Sequence, residues 1–242
     1  MIRALLGAIQ FLTVIPVRAR TAAPGKAAAF FPLAGASIGA VAGVLFDQTR
    51  ALLPAGLAAL LAIAFLALIT GGLHEDGFAD CADAFRAGRP RDRILAIMKD
   101  SRVGAHGALA LCLSILIRWQ ALSALAVDPV PALAAAHGLS RAAAVALAWI
   151  TPPAGEGLAF ALSKTMSTPV ALFAMVQGIL LAAWCGGRLA VLLVAGTALV
   201  VLLAHRYFMR RIGGVTGDCL GAAAHLAEIF CLLVFTCRTC IS

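Results

Sequence analysis

Residues 51–73, ALLPAGLAALLAIAFLALITGGL, form an uncharged apolar run. A helix needs about 20 residues to cross the hydrocarbon core of a bilayer, so this run is long enough to span a membrane. Six further apolar stretches lie near residues 27–49, 104–127, 131–150, 168–187, 189–205 and 219–237. We therefore predict an all-α integral membrane protein with about seven transmembrane helices, built as a single polytopic domain over residues 1–242.

The composition also indicates a membrane protein. Hydrophobic residues make up 62% of the chain and charged residues only 12%, whereas ordinary globular domains are nearly half apolar and about a quarter charged. The many Ala and Gly residues suit close helix packing in lipid, because small side chains let helix backbones approach each other. We expect the lipid bilayer to be the main surrounding of the protein.

Basic residues mark alternate loops. They are Arg18, Arg20, Lys26, Arg86, Arg89, Arg91, Arg93, Lys99, Arg102, Lys164, Arg206, Arg210 and Arg211. By the positive-inside rule these loops are cytoplasmic, so we expect the polar segments to face the cytoplasm. This topology and anionic lipid account for the net charge of +8, so we expect no nucleic-acid partner.

The two ends of the chain carry weaker signals. Residues 1–17, MIRALLGAIQFLTVIPV, have a basic start and an apolar run that is short for a span. We predict an N-terminal helix at the cytoplasmic interface, with a cleaved signal peptide as the alternative. Cys237 and Cys240 form a lone CxxC, which we interpret as incidental because no second pair accompanies it.

An acidic motif follows the first quoted run. Residues 71–83, GGLHEDGFADCAD, place Asp76, Asp80 and Asp83 at positions i, i+4 and i+7, on one face of a helix. Three carboxylates on one face repel each other unless a cation lies between them, and hard oxygen ligands favour Mg²⁺ with substrate phosphates. The motif thus indicates phosphoryl chemistry, unless the acids only complement a helix dipole or form a solvated face.

The motif opens the main predicted cytoplasmic catalytic segment, residues 74–103. His74 is a candidate acid-base group. Lys99 and Arg102 are three residues apart, which would let them hold one phosphate together, while Asp100 is a candidate metal ligand. The alternative is that the two bases only mark the membrane interface.

A second polar piece, residues 210–221 (RRIGGVTGDCLG), precedes the last apolar stretch. Gly-rich backbone at a helix N-terminus can bind an anion, so the candidate binding residues are Gly213, Gly214, Thr216 and Gly217. Asp218 is a candidate ligand for the same metal. A flexible turn capped by Asp remains the alternative.

Several charged or polar residues fall inside predicted spans, where they are costly: Arg118, His137, Arg141, His225 and Glu228. Arg141, which follows Ser140, is the strongest candidate among them. It lines a cavity for an anionic substrate, or it pairs with Glu228 and joins two helices; both alternatives stay open.

The motifs GGLHEDGFADCADAF, RDRILAIMKDSRVGAHG and GGVTGDCLGAA, in this order and on this hydropathy profile, resemble the cobalamin synthase family, adenosylcobinamide-GDP ribazoletransferase. The resemblance implies a Mg²⁺-dependent inner-membrane transferase with adenosylcobinamide-GDP and α-ribazole, or its 5′-phosphate, as substrates, and GMP as a product. The family pattern HxDGxADxxDG fits here except that Ala84 replaces its last glycine, and Glu75 stands at a position that is often apolar.

The resemblance and the residues together suggest an in-line displacement at phosphorus. A metal held by the three motif aspartates, with help from Asp100 and Asp218, would neutralise the pyrophosphate. Lys99 and Arg102 would hold the departing phosphate, and His74 or a carboxylate would accept the hydroxyl proton. We also expect a Gly- and Ala-lined cavity for the corrinoid that opens at the cytoplasmic face.

Two other classes remain as alternatives. A CDP-alcohol phosphotransferase also uses aspartates and Mg²⁺, but its DxxDGxxAR spacing is not met here. A membrane transporter is disfavoured because the chain has no internal repeat and its acids cluster at one edge. The sequence leaves open whether the protein forms a homo-oligomer or binds other enzymes of the cobalamin pathway.

Overall fold

The structure, a computed structural model, describes residues 1–86 and 88–237. Cys240, which belongs to the lone CxxC, lies outside these ranges. Within them the regular structure consists of α-helices, two short 3-10 turns at Ala28–Phe30 and Gly187–Leu189, and one bridge between Pro153 and Val215. The helices are α1 (Ile2–Leu12), α2 (Pro24–Ala27), α3 (Phe31–Arg50), α4 (Ala55–Thr70), α5 (Leu73–Ala84), α6 (Arg91–Ile97), α7 (Ala105–Ser123), α8 (Pro129–Ile150), α9 (Leu158–Thr165), α10 (Thr168–Gly186), α11 (Ala190–Ile212) and α12 (Gly217–Thr236).

The predicted all-α membrane fold is confirmed. By length and hydropathy, five stretches of the described chain could span a membrane, or six if α4 and α5 count as one bent span. One stretch, Thr168–Ile212, contains 45 residues, which would extend about 67 Å as a single helix, twice the thickness of a bilayer core. A turn at Gly187, with φ of 52°, divides it into α10 and α11.

The long helices run between two ends of the bundle. We call the end that contains Gly72, Met166 and Thr216 the site end. The opposite, far end contains Asp128, the α10–α11 turn and Phe235, which line one small cavity there. In the described ranges α3, α4, α7, α8, α10, α11 and α12 connect these ends in alternation. Seven membrane crossings stay a prediction, because the length and hydropathy criterion is met by five or six stretches.

The first quoted run contains a sharp bend. Helix α4 ends at Thr70, and α5 starts at Leu73 at 90° to it. Gly71 and Gly72 make the turn with φ of 62° and 69°, a left-handed conformation that glycine adopts readily. Helix α5 therefore lies across the site end, outside the crossing helices.

The core is built around α8 and α12, the most enclosed long helices. Gly35 and Gly43 of α3 lie directly on α8. A Cβ at Gly35 would come within 2.7 Å of the His137 carbonyl oxygen, and one at Gly43 within 2.6 Å of the Val130 Cα. Small residues thus set the distance between helices, as the composition predicts.

Helix α1 agrees with the prediction of an N-terminal helix. Its residues Ala8 and Leu12 are buried, and Phe11 stacks on Phe31 with ring centroids 4.9 Å apart. The helix therefore packs onto the start of α3 at the site end. Its location at the membrane interface stays a prediction.

Candidate active site

Helix α5 carries the acidic motif across the site end. Glu75 and Asp76 lie in its first turn, where negative charge is favoured by the helix dipole. Asp83 lies near its end and accepts a hydrogen bond from the Gly104 backbone N–H at 2.7 Å. The Asp83 carboxylate is enclosed between Gly104 and Gly107. Its position therefore fixes the start of α7 against α5.

The first turn of α12 lies directly against α5. A Cβ at Gly77 would come within 2.8 Å of the Asp218 carbonyl oxygen, so the contact depends on the absence of a side chain there. Thr216 caps α12, because its Oγ1 accepts a hydrogen bond from the Cys219 N–H at 3.3 Å. The same hydroxyl donates to Asp218 Oδ2 at 3.2 Å. The two predicted polar pieces therefore meet.

One cavity of about 290 Å³ lies at this junction. Seven of the predicted site residues line it: His74, Asp76, Lys99, Arg141, Thr216, Gly217 and Asp218. They come from α5, the residues after α6, α8 and the start of α12. The structure thus joins groups that are up to about 140 residues apart in sequence, a distance at which sequence patterns carry no information on contact.

The expected space for the corrin ring is not found in this cavity. Ligand pockets for small molecules measure about 300–1,000 Å³, and a corrin ring with its side chains is several times larger than a nucleoside. The cavity of about 290 Å³ is therefore of nucleoside size. Ala and Gly residues do line the cavity as expected, among them Ala28, Ala144, Gly155 and Gly221.

Two predicted residues face away from the cavity. Arg102 Nη2 lies 2.7 Å from Asp100 Oδ2, and both side chains are solvent-accessible. The hydrogen bonds from Arg102 lower the pKa of Asp100 to about 2. Because α6 ends at Ile97, Lys99 and Arg102 do not share a helix face. Lys99 lines the cavity without Arg102, which corrects the predicted phosphate pair.

Gly213 and Gly214 also lie outside the cavity lining. Gly213 ends α11 with φ of 70°. Gly214 lies against the backbone of Pro152, next to the Val215 N–H that donates to the Pro152 carbonyl at 2.9 Å. These two glycines shape the turn between α11 and α12. Of the four residues predicted to bind an anion here, only Thr216 and Gly217 line the cavity.

Negative charge accumulates beside the cavity. Partial burial, and then Asp76, Asp218 and Asp83, raise the pKa of Asp80 to about 6. No group of three or more His, Cys, Asp or Glu side chains in residues 1–86 and 88–237 is close enough together to hold a metal ion. The neighbouring carboxylates therefore act on the charge of Asp80, but within these residues they do not form a set of metal ligands.

A buried ionic network lies beneath the cavity. Arg118 Nη1 lies 2.8 Å from Glu75 Oε1, and its Nη2 lies 2.9 Å from Glu228 Oε1. Arg141 Nη1 lies 2.9 Å from Glu228 Oε2. His137 Nδ1 is 3.2 Å from Glu228 Oε2, but the two atoms are not aligned for a hydrogen bond. The network joins α5, α7, α8 and α12.

Arg141 connects this network with the cavity. Besides Glu228, it contacts Ser140 Oγ at 2.8 Å and His74 Nδ1 at 3.5 Å. Arg141 therefore lines the cavity and also pairs with Glu228; that the cavity takes an anionic substrate stays a prediction. Sequence reasoning missed the role of Glu75; the available signal was Arg118, a charge in an apolar run that requires a buried partner.

Comparisons with known proteins identify the family of the chain. The family described as cobalamin-5-phosphate synthase matches residues 4–236. Three similar proteins carry the name adenosylcobinamide-GDP ribazoletransferase. The one from Ralstonia pickettii is 43% identical over 240 residues, which cover 95% of this chain and 93% of the relative. The one from Bradyrhizobium diazoefficiens is 41% identical over 236 residues, covering 94% and 90%. The one from Shewanella frigidimarina is 38% identical over 243 residues, covering 94% and 91%. No solved structure matches the chain.

Proposed function

This chain belongs to the cobalamin-5-phosphate synthase family, and on that premise we propose that it is an adenosylcobinamide-GDP ribazoletransferase of late cobalamin synthesis. The reaction joins a hydroxyl of α-ribazole to the phosphorus that carries cobinamide. The new P–O bond forms as the bond between this phosphorus and the bridging oxygen breaks. GMP leaves with that oxygen, and a base takes the hydroxyl proton.

The observation that carries this proposal is the cavity itself. It combines two cations, Lys99 and Arg141, with three carboxylates in one space of about 290 Å³. The carboxylates are those of Asp76, Glu156 and Asp218. Phosphoryl transfer requires charge stabilisation and positioning more than covalent chemistry. Lys99 and Arg141 supply positive charge for the phosphate oxygens.

Asp76 is our candidate for the general base. His74 is buried and its Nδ1 lies 3.5 Å from Arg141, and burial next to a guanidinium disfavours protonation of an imidazole. Asp76 lines the same cavity and carries a carboxylate that can accept a proton. His74 then positions Arg141 and does not take the proton.

Mg²⁺ is part of the proposal. Partial burial and then the nearby carboxylates raise the pKa of Asp80, and a bound Mg²⁺ would balance the negative charge there. Asp80 and Asp218 have the oxygen ligands that Mg²⁺ prefers, and they would hold it together with substrate phosphate, while Asp76 stays available as the base. When bound, the ion would neutralise the pyrophosphate. Asp83 and Asp100 are weaker candidates for metal ligands, because their carboxylates already accept hydrogen bonds. The donors are the Gly104 N–H for Asp83 and Arg102 for Asp100.

We further propose that the protein lies in the inner membrane with the site end in the cytoplasm. The basic loops lie at the site end, whereas the far end carries Arg50 and Arg188. Cobinamide and ribazole substrates would then reach the cavity from the cytoplasm. The acceptor is α-ribazole or its 5′-phosphate, and the assay below separates the two.

The test uses the purified full-length protein in detergent. It is incubated with adenosylcobinamide-GDP and either acceptor, in Mg²⁺ or in EDTA, and GMP and corrinoid products are followed by chromatography. We expect equal amounts of GMP and coupled corrinoid, formed only with Mg²⁺. Transfer that persists in EDTA would remove the metal from the proposal. Absence of product from folded protein, with CMP release from a CDP-alcohol, would favour the phosphotransferase alternative.

A further inference from the structure

The cavity has two walls of different character. The polar wall holds the charged groups and comes from α5, the residues after α6 and the start of α12, together with Arg141 of α8 and Glu156 before α9. The other wall is apolar and comes from α1, the start of α3, the end of α8 and α9. It includes Phe11, Leu12, Phe31, Ala148 and Leu162. Phe11 and Phe31 stack at 4.9 Å with their planes 15° apart. A ligand in this cavity therefore has one charged or hydroxylated end and one flat apolar end.

Size excludes one part of the substrates. At about 290 Å³, the cavity is at the lower end of small-molecule sites. A nucleoside is of this size, whereas the corrin ring is not. The corrinoid consequently remains outside, and only its phosphate chain reaches the polar wall.

Polarity separates the two remaining nucleosides. Guanine carries a carbonyl and an amino group that need partners, and leaving such a group buried without one costs about 1–3 kcal/mol. The lining carboxylates and Lys99 are such partners, but the apolar wall, with Phe11, Phe31, Ala148 and Leu162, offers none. The base of α-ribazole is a benzimidazole with two methyl groups and one free ring nitrogen. It loses little on entering an apolar wall and gains from contact with aromatic rings.

We propose that the apolar wall is the binding site for the benzimidazole base of the acceptor. The inference rests on the proposed function and assigns the acceptor half of the site. The base lies among Phe11, Phe31 and Leu162, and the ribose points to Asp76 and Lys99 on the polar wall. The donor phosphate enters on the side of the ribose that faces away from the base, near the exposed Lys99. There it is in line for attack by the ribose hydroxyl.

Two variants test the site in opposite directions. Ala148→Leu fills the apolar wall and is expected to raise the KM for α-ribazole at least about ten-fold, because displaced contact area weakens binding. Leu162→Ala removes side-chain volume from the same wall and adds no steric clash. It therefore tests the site even if Ala148→Leu fails to fold. We expect it to raise the same KM about three- to ten-fold. The KM for adenosylcobinamide-GDP should change less than about two-fold in both.

The matched control is Ala183→Leu, because Ala183 is exposed on the outer surface of α10. It should leave both KM values unchanged. A rise confined to the donor KM, or an unchanged acceptor KM in both folded variants, would overturn the proposal.

Direct binding distinguishes failure of this site from failure of the proposed function. Equilibrium dialysis of labelled α-ribazole with the protein, without donor, should show binding that Leu162→Ala weakens and that guanosine does not displace. Displacement by guanosine would assign the wall to the donor. If α-ribazole binds in this way but no transfer occurs, the acceptor site is supported and the proposed transferase activity is rejected. If transfer occurs but these variants bind α-ribazole normally, only the assignment of the acceptor site is rejected.

Discussion

Asp76 and Asp83 share a helix face but have different surroundings. Asp76 lines the cavity, while Asp83 accepts a hydrogen bond from Gly104 and holds the start of α7. A spacing of i, i+7 predicts the shared face correctly. It does not indicate which carboxylate already accepts a hydrogen bond from the backbone at the start of another helix.

The contribution of Asp76 is tested by Asp76→Asn. We expect kcat to fall at least about 100-fold, since general base catalysis contributes about 10²–10⁴-fold. The amide has nearly the same shape, so the variant should fold. Asp92→Asn is the control, because Asp92 has a side chain 97% exposed at the start of α6. If Asp76→Asn retains full turnover in the coupled assay, Asp76 is not the base.

Asp80 predicts a pH dependence of stability. Its pKa is raised from its usual value of 3.8 to about 6 in the folded protein, so folding favours the protonated form. The stability from this preference is complete below about pH 3.8 and is lost as the pH rises through about 6. Asp80→Asn should therefore raise Tm at pH 7.5 in EDTA and leave it unchanged near pH 3.8.

The Asp80 side chain is only partly buried, so solvent screening reduces the effect. We expect a rise of about 1–2 °C, measured by thermal unfolding in detergent. Added Mg²⁺ should stabilise the wild type more than the variant. A Tm for Asp80→Asn at or below that of the wild type at pH 7.5 would contradict the inferred repulsion.

At the scale of the elements, arginines hold the site end together. Arg91 donates from Nε to the Ile212 carbonyl at 2.9 Å and from Nη2 to the Ala154 carbonyl at 2.8 Å. Arg89 donates to the carbonyls of Asp83 and Ala84 at the end of α5. Basic residues that the sequence marks as a topology signal therefore also satisfy the free carbonyl groups of helix ends and loops.

Arg91→Ala tests this at the level of α6. Residues Leu95, Met98 and Lys99, within and after α6, line the cavity, so loss of the two hydrogen bonds should loosen one wall. We expect faster backbone hydrogen exchange over residues 91–99 and a fall in kcat/KM of about ten-fold, the effect of roughly 1.4 kcal/mol. Arg93→Ala, at an exposed position on the same helix, should leave both unchanged. Equal exchange in the two variants would show that Arg91 does not hold α6.

At the scale of the whole molecule, Glu228 joins helices that are far apart in sequence. Its carboxylate contacts Arg118 of α7 and Arg141 of α8, and Arg118 extends the network to Glu75 of α5. All three of Arg118, Arg141 and Glu228 are about 2% exposed. Such a network fixes the relative positions of the helices that carry the cavity.

Glu228→Gln should destabilise the protein by on the order of 3 kcal/mol, because it leaves the buried Arg141 without its carboxylate. Thermal unfolding in detergent measures this loss, and activity should fall with it because Arg141 moves. The control is Asp47→Asn, which removes a solvent-accessible ion pair to Arg50 at 2.7 Å and should cost less than about 1 kcal/mol. Similar losses in both variants would rule out a special role of the buried network.

The orientation in the membrane gives a further whole-molecule prediction. Arg93→Cys lies at the site end, and Trp184→Cys lies at the far end, where the Trp184 side chain is 90% exposed. An impermeant maleimide should label Trp184→Cys in intact spheroplasts and Arg93→Cys only after the membrane is opened. The wild type gives the background from native cysteines. The reverse pattern would place the site end outside the cytoplasm.

The sequence by itself determined the membrane class, the helical fold and the position of the acidic motif, because these depend on local properties. Hydropathy over about 20 residues selects a span, and the spacing of Asp76 and Asp80 selects a helix face. It also determined the family, since three motifs between residues 71 and 223 occur in the family's order.

Only the tertiary structure decided which candidates work together. Lys99 lines the cavity and Arg102 does not, because α6 ends at Ile97 before both. Arg141 reaches both the cavity and Glu228, because α3 approaches α8 closely at its glycines and α12 packs beside it. Such contacts depend on how distant helices pack, and packing is set by the shapes of several elements at once.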